Sequence, residues 1–435
     1  MKKLIETLRN IWKIEELRGR IIATLGFLLI YRLGSFVALP GIDPQQLDAL
    51  QNQTSGGLLG LLNMFTGGAF SQASIMALGI MPYISASIVI QLMTMAVPYL
   101  QKLQKDGESG RTKLSQITRY LTVLITCFQA PGYIANLKAT LPAEAFLLSS
   151  GAFWFSSIVI LVTGTMFAMW LGEKITDRGI GNGISLLIMV GIIASLPQAF
   201  LFEVGRANPL IILVELVIML VVIFASVLLV QGVRRIPIQY AKRGATAQVA
   251  AARQYLPLKV NASGVMPIIF AQAIMFIPIT FAGLSESDGV QNFVATFSDF
   301  SGFWYNFVFA ILIILFTYFY TAITVNTNQM ADDLKRNGGF VPGVKPGKDT
   351  ASFLDAVMSR IVLPGSVFLA LLAILPAFAM NAGINQSFAQ FFGGTSLLIM
   401  VGVVLDTLQQ VEGYLLNRHY DGLMESGRLT GRSGM

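Results

Sequence analysis

Apolar residues in this chain gather in unbroken blocks of roughly 20, the length a helix needs to cross the hydrocarbon core of a bilayer. Reading those blocks against proline, glycine and charged punctuation predicts spans at 21–38, 76–96, 118–137, 153–172, 184–202, 209–231, 263–283, 303–325, 361–380 and 394–412. These ten spans predict an all-α polytopic membrane protein with both termini on one side. They divide after the fifth into two halves, spans 1–5 and 6–10, of opposite orientation, as in inverted-repeat membrane proteins. No repeat is legible in the residues themselves, so the inversion rests on the span count alone.

Composition removes the soluble alternative. Of 435 residues, 54% are hydrophobic and 12% charged, with mean hydropathy +0.67, against about a quarter charged in soluble domains. The 30 lysines and arginines then orient the spans. All but Arg32, Lys138 and Arg206 fall in the N-terminal segment, in 98–119, 173–183, 232–262 and 326–360, or in the tail. The positive-inside rule puts those segments and both termini in the cytoplasm. Within residues 1–20, Leu4, Ile5, Leu8, Ile11, Trp12 and Leu17 share a helical face, which predicts an amphipathic helix on the cytoplasmic membrane surface. The expected divisions are that helix, a first half over 21–202, a second half over 203–412 and a cytoplasmic tail over 413–435.

Candidate chemistry is sparse. One cysteine, Cys127, and one histidine, His419, exclude an internal disulfide and a Cys/His metal site. A Ser-His-Asp triad would need His419, which lies in the polar tail. No phosphate-binding GxxxxGK[ST] loop occurs. No catalytic residue, metal or cofactor is therefore expected. Residues 2–20 are charged throughout and predict no cleavable signal. Arg32, Glu215 and Asp406 lie in or near spans, where an ionisable group is a functional candidate by position.

Segment 55–75 is the irregular one. Its apolar stretch is too short to span, carries Gly56, Gly57, Gly60, Gly67 and Gly68, and leads into the second span. Two readings stand: a movable stopper in a protein-lined cavity, or an outer amphipathic helix.

Several motifs decide the family. LGIMPYISASIVIQL (78–92) resembles the second-span signature of the SecY family, and LVTGTMFAMWLGEKITDRGIGNGIS (161–185) its fourth-to-fifth-span segment. DGESGRTKLSQITRY (106–120), RRIPIQYAKRG (234–244), LPLKVN (256–261), FVPGVKPG (340–347) and GGTSLLI (393–399) resemble its other landmarks, in order. The resemblance implies a protein-conducting channel whose two halves hinge around a central hourglass pore. It would pass unfolded secretory polypeptides across a bacterial plasma membrane and release transmembrane segments sideways into lipid.

Carried over motif by motif, the pore ring falls on Ile80, Ile84, Ile184, Ile188, Ile269 and Ile399. An aliphatic ring offers water and ions no hydrogen bond, so it can dewet and still deform around a sliding chain. The resemblance makes 55–75 the plug, on the outer side of the ring. Its glycines would keep it easy to displace, Phe65 would belong to it, and Asn63 and Thr66 would tie it to the pore wall. Gln91 and Asn261 would be polar residues of a lateral gate between spans 2–3 and 7–8.

Loop 232–262 carries Arg234, Arg235, Lys242, Arg243, Arg253 and Lys259 and no acid. With loop 326–360 it would dock a ribosome or a SecA-type motor, polyanionic RNA being drawn to basic loops. Lys345 stands where the family usually has arginine, keeping the charge but losing the planar fork. Small SecE-like and SecG-like membrane subunits, preproteins with their signal sequences and membrane lipids complete the implied partners. Glu215 has no counterpart in the family pattern and suggests contact with an accessory helix. Two other functions remain open: a dedicated SecY-like accessory translocase, and a small-solute transporter. Full-length docking loops argue against the first, and a midplane of isoleucine, which binds nothing polar, against the second.

Overall fold

The computed structural model describes residues 12, 14–47, 50, 57–206, 208–240, 254–275 and 301–427. In chain order the helices are α1 (Glu15–Ser35), α2 (Gly57–Phe65), α3 (Met81–Ala96), α4 (Pro98–Lys105), α5 (Gly107–Thr140), α6 (Ser150–Arg178), α7 (Gly183–Arg206) and α8 (Pro209–Gln231). After strands β1 (Val233–Tyr240) and β2 (Gln254–Lys259) come α9 (Met266–Met275), α10 (Phe303–Thr324) and α11 (Thr327–Arg336). Strand β3 (Gly339–Phe340), α12 (Lys348–Asn381), α13 (Gln386–Ala389) and α14 (Gly394–Gly427) complete the order.

A helix stands at each predicted span: α1, α3, α5 to α10, α12 and α14. Among the described residues, six helices are long and apolar enough to cross a membrane, and α3 with α4 make a seventh if taken as one bent span. The bend falls at Val97, which is extended (φ −103°, ψ 112°) because Pro98 disfavours a helical residue before it. Helix α5 dilutes its apolar stretch with Thr118, Thr122 and Thr126. Each of these hydroxyls donates to the carbonyl four residues back, so the buried polar groups are satisfied inside the helix. The second span becomes helical only at Met81, after turns over 75–80. Residues 15–20 belong to α1, so no break separates them from the first span; residues 1–11 of the expected surface helix lie outside the described residues.

The chain forms two compact units, residues 1–200 with 403–435, and residues 201–402. The end of the tenth span thus groups with the first unit, whereas the sequence division left it in the second half.

In the first unit, loop 39–50, the turn at 70–77 and the facing ends of α5 and α6 share a core that includes Leu39, Leu50, Phe70, Tyr133 and Phe153. Tyr133 donates its hydroxyl proton to the Phe70 carbonyl (2.8 Å), and the two rings meet edge to face at 4.8 Å. Between α6 and α7 the chain has no helical partner for its amides, and side chains supply acceptors instead. Thr24 accepts from Ile180 N (3.1 Å), Gln410 from Gly181 N (2.9 Å) and Thr176 from Gly183 N (2.9 Å). Arg119 of α5 closes a two-pronged ion pair on Glu173 of α6 (2.7 and 3.2 Å).

In the second unit α12 packs on α8, α10, α11 and α13. Its sheet has strand order β2-β1-β3, with Val233 opposite Lys259 and Ile238 opposite Gln254, and Tyr240 opposite Gly339. The segments expected to be loops therefore hold a small antiparallel sheet and a helix. The reason is visible in RRIPIQY. Ile236 packs into a core with Leu258, Val341, Leu354 and Met358, and Ile238, two residues on, is buried as well, while Arg234 and Arg235 stay in solvent.

Candidate functional site

Helix α3 opens at Ile80, its N-cap (φ −98°, ψ 0°), with proline in the first turn. Ile84 follows one turn later and donates its amide to the Ile80 carbonyl (3.1 Å), so the two side chains share a face. Ile80 is buried and Ile84 half-buried. Ile184 and Ile188 repeat that spacing on α7; Ile188 is 5% exposed, and Ile184 lies over Gly172 of α6. In the other unit Ile269 is half-buried on α9, and Ile399 is 2% exposed in the buried run 391–399, which leads into α14.

The short helix α2 is nine residues long. Just past its last residue, Phe65, come two consecutive left-handed glycines, Gly67 (φ +66°) and Gly68 (φ +89°), a conformation that favours glycine. Asn63 and Thr66 serve the segment itself: Asn63 Oδ1 accepts from Ser71 N (3.0 Å), and Thr66 Oγ1 donates to Asn63 O (3.1 Å) and accepts from Phe70 N (3.3 Å). These bonds link the end of α2 to the turn that follows, and among the described residues each of these partners is local. Phe65 is buried and Gly60 half-buried; Gly56 lies outside the described residues.

Two residues that the sequence did not assign to this segment hold it. Arg32 of α1 donates from Nη1 to the Gly67 carbonyl (2.7 Å), and its guanidinium also lies over the Phe36 ring at 5.2 Å. Gly191 of α7 meets the segment backbone to backbone: a Cβ there would sit 2.7 Å from the Phe65 carbonyl oxygen and 3.0 Å from Gly67 N. Gly191 stands three residues beyond Ile188, about 4.5 Å further along the helix axis. A charge inside a predicted span marked Arg32 in the sequence; nothing marked Gly191.

The remaining candidates are scattered. Gln91 is half-buried and donates to Ser87 Oγ (3.4 Å); Asn261 is buried and accepts from Ser263 Oγ (3.2 Å). Glu215 is buried at 5% exposure rather than outward-facing, and among the described residues its Oε2 has no hydrogen-bond partner. Nearby Glu203 accepts from Asn385 N (3.0 Å). Asp406 is exposed and accepts from Gln410 (3.4 Å).

Arg234 and Arg235 are exposed on β1, and Lys345 on the turn before α12, where Thr350 donates to the Lys345 carbonyl (2.8 Å). Lys242, Arg243 and Arg253 lie outside the described residues. Among the described residues no three His, Cys, Asp or Glu side chains group as metal ligands.

The sequence model of the SecY family matches residues 74–408. The protein translocase subunit SecY of Escherichia coli strain K12 is 42% identical over 426 residues, covering 96% of each chain. A solved SecY structure, reported as showing that its plug domain stabilises the closed state and maintains a membrane seal, shares the fold. Its TM-score is 0.62 at 17% identity, over 91% of each chain. Sec61 in the canine ribosome-channel complex from the endoplasmic reticulum also shares it, with TM-score 0.57 over 91% of each chain.

Proposed function

The chain belongs to the SecY family, and from that premise we propose how its residues divide the work of the channel. It is a protein-conducting membrane channel and carries out no covalent chemistry. In this reading Ile80, Ile84, Ile184, Ile188, Ile269 and Ile399 form a dry ring that seals around the moving polypeptide. Residues 55–75 are the stopper segment of the closed state, with 57–68 as its releasable part. The observation that carries the gating assignment is the seat of this segment on Gly191, one turn outward of Ile188. From there the stopper can cover the ring without filling it.

Arg234, Arg235 and Lys345 form the docking face for an energy-supplying partner, a SecA-type motor or a ribosome. Support comes from their exposure on the second unit, where β1 and the turn before α12 share one apolar core. Lys242, Arg243 and Arg253 are assigned to the same docking role by their basic charge in loop 232–262. Gln91 and Asn261 are assigned to the lateral exit. Small SecE-like and SecG-like subunits complete the channel in a bacterial plasma membrane, with both termini cytoplasmic by the distribution of lysine and arginine.

The test is ATP-driven import of an unfolded preprotein into proteoliposomes holding this chain, a SecE-like subunit and added SecA. Protease-protected preprotein that requires both chain and motor is the expected result. No protection, with folded channel and active motor, favours a dedicated accessory translocase. In the same vesicles Lys345→Glu is expected to lower motor-driven import about tenfold, because like charges at a docking rim disfavour association. Membrane insertion of the chain should not change. Equal loss of insertion and import would make Lys345 a structural residue.

A further inference from the structure

We propose that Arg32 is the latch of the stopper, holding residues 57–68 in the closed seat through the Gly67 carbonyl. The inference rests on the channel reading above and adds the residue that sets how firmly the closed state is held.

The stopper is fastened unevenly. Beyond Ala69 it is bound to the scaffold: Tyr133 donates to Phe70 O (2.8 Å), Leu39 N to Ala73 O (2.8 Å), and Ile75 N to Val37 O (2.9 Å). Ala69, Ala73 and Ser74 are completely buried. That part cannot leave without dismantling the core of the first unit. The part before it ends at Gly67 and Gly68, whose left-handed backbone turns the chain out of α2. Arg32 takes hold at that junction, at 2.7 Å.

Three features make this contact a latch. The closeness that brings Gly67 within reach depends on Gly191, where any side chain would strike the Phe65 carbonyl. A charge-assisted bond to a carbonyl favours closure by about ten- to a hundredfold, enough to hold the segment and weak enough to release it. When the stopper leaves, Arg32 keeps the Phe36 ring at 5.2 Å, and this cation–π contact covers the charge. Opening therefore does not strand a bare cation at membrane depth.

The test uses the reconstituted channel with its small membrane subunit, comparing wild type with Arg32→Met. Resting ion conductance is measured without preprotein. A second readout is labelling by an impermeant maleimide added from the outer side, using Phe65→Cys in a Cys127→Ser background. Phe65 is 6% exposed, so labelling in the parent should be slow. Arg32→Met is expected to raise both conductance and labelling rate about tenfold. Preprotein import continues, because the latch acts before the polypeptide enters. Wild-type conductance and labelling in an import-competent Arg32→Met channel would overturn the latch. If Arg32→Met loses import through misfolding, Arg32→Gln, shorter and uncharged, decides by the same two readouts. Parent vesicles that import nothing with added SecA would overturn the motor-driven general-translocase reading and not the latch, an outcome distinguishable because it precedes any substitution and leaves conductance and labelling to decide on Arg32.

Discussion

Replacing Ile84 and Ile188 together with asparagine is expected to make the resting channel conduct ions and accept preproteins with weakened signal sequences. The physical reason lies in the cost of a dry, unpaired amide. Ile188 is 5% exposed and Ile84 half-buried, so each new carboxamide would stand in a site that offers few polar partners. An unsatisfied buried amide costs about 1–3 kcal/mol, and water entering the constriction recovers that cost. Each substitution therefore shifts the constriction toward its wet state by about tenfold or more, and wetting is what lets ions through. Planar-bilayer conductance of the purified channel measures the first effect, and import of a signal-sequence-defective preprotein the second. Unchanged conductance and unchanged selection would remove these two isoleucines from the ring. The substitutions leave helix spacing intact and touch no packed glycine, so loss of fold is not the expected route to a leak.

Gly164→Val should act in the opposite way, by preventing the first unit from assembling. Gly164 lies in α6 directly over the Ile75 carbonyl, and a Cβ there would collide with that backbone oxygen. The backbone has little freedom to retreat. Ile75 N is bonded to Val37 O (2.9 Å), and Ser74 pairs with Ala38 in an isolated bridge. Overpacking against a pinned backbone costs about 3 kcal/mol or more, a large share of the 5–15 kcal/mol that typically separates folded from unfolded chains. The expected result is rapid degradation in cells and a lowered melting temperature in detergent. Gly132→Ala is the matched control. It sits in the interior of α5 with nothing within 4 Å of the added Cβ, and alanine favours a helix over glycine by about 1 kcal/mol. It should leave stability unchanged or raise it. Equal behaviour of the two variants would contradict the close approach of α6 to the 75–76 turn.

The two predictions draw on different kinds of information. The spans were legible in the chain, and an orientation could be proposed from it, because the bilayer imposes local requirements. Roughly 20 apolar residues must come consecutively, and lysine and arginine must collect on one side. Both can be read without knowing what touches what. The strands of the second unit were half legible. RRIPIQY has the alternation of a strand, but it sits in a segment whose basic charge reads as a solvated loop, and its partner lies across residues 241–253. The bonds of Asn63 and Thr66 are local, as short polar side chains at a helix end bond first to nearby backbone.

What the sequence by itself determined is therefore the membrane class, the positions of the spans and, through ordered motifs, the family. The tertiary structure alone decided which residues secure the stopper. Arg32 and Gly67 stand 35 positions apart, and Gly191 comes from a different helix again. The same holds for Glu215, whose carboxylate is buried near Glu203 when the chain alone gave no reason to expect cover. Such contacts follow from how helix faces dock. A glycine that permits backbone approach looks, in sequence, like any other glycine in an apolar span.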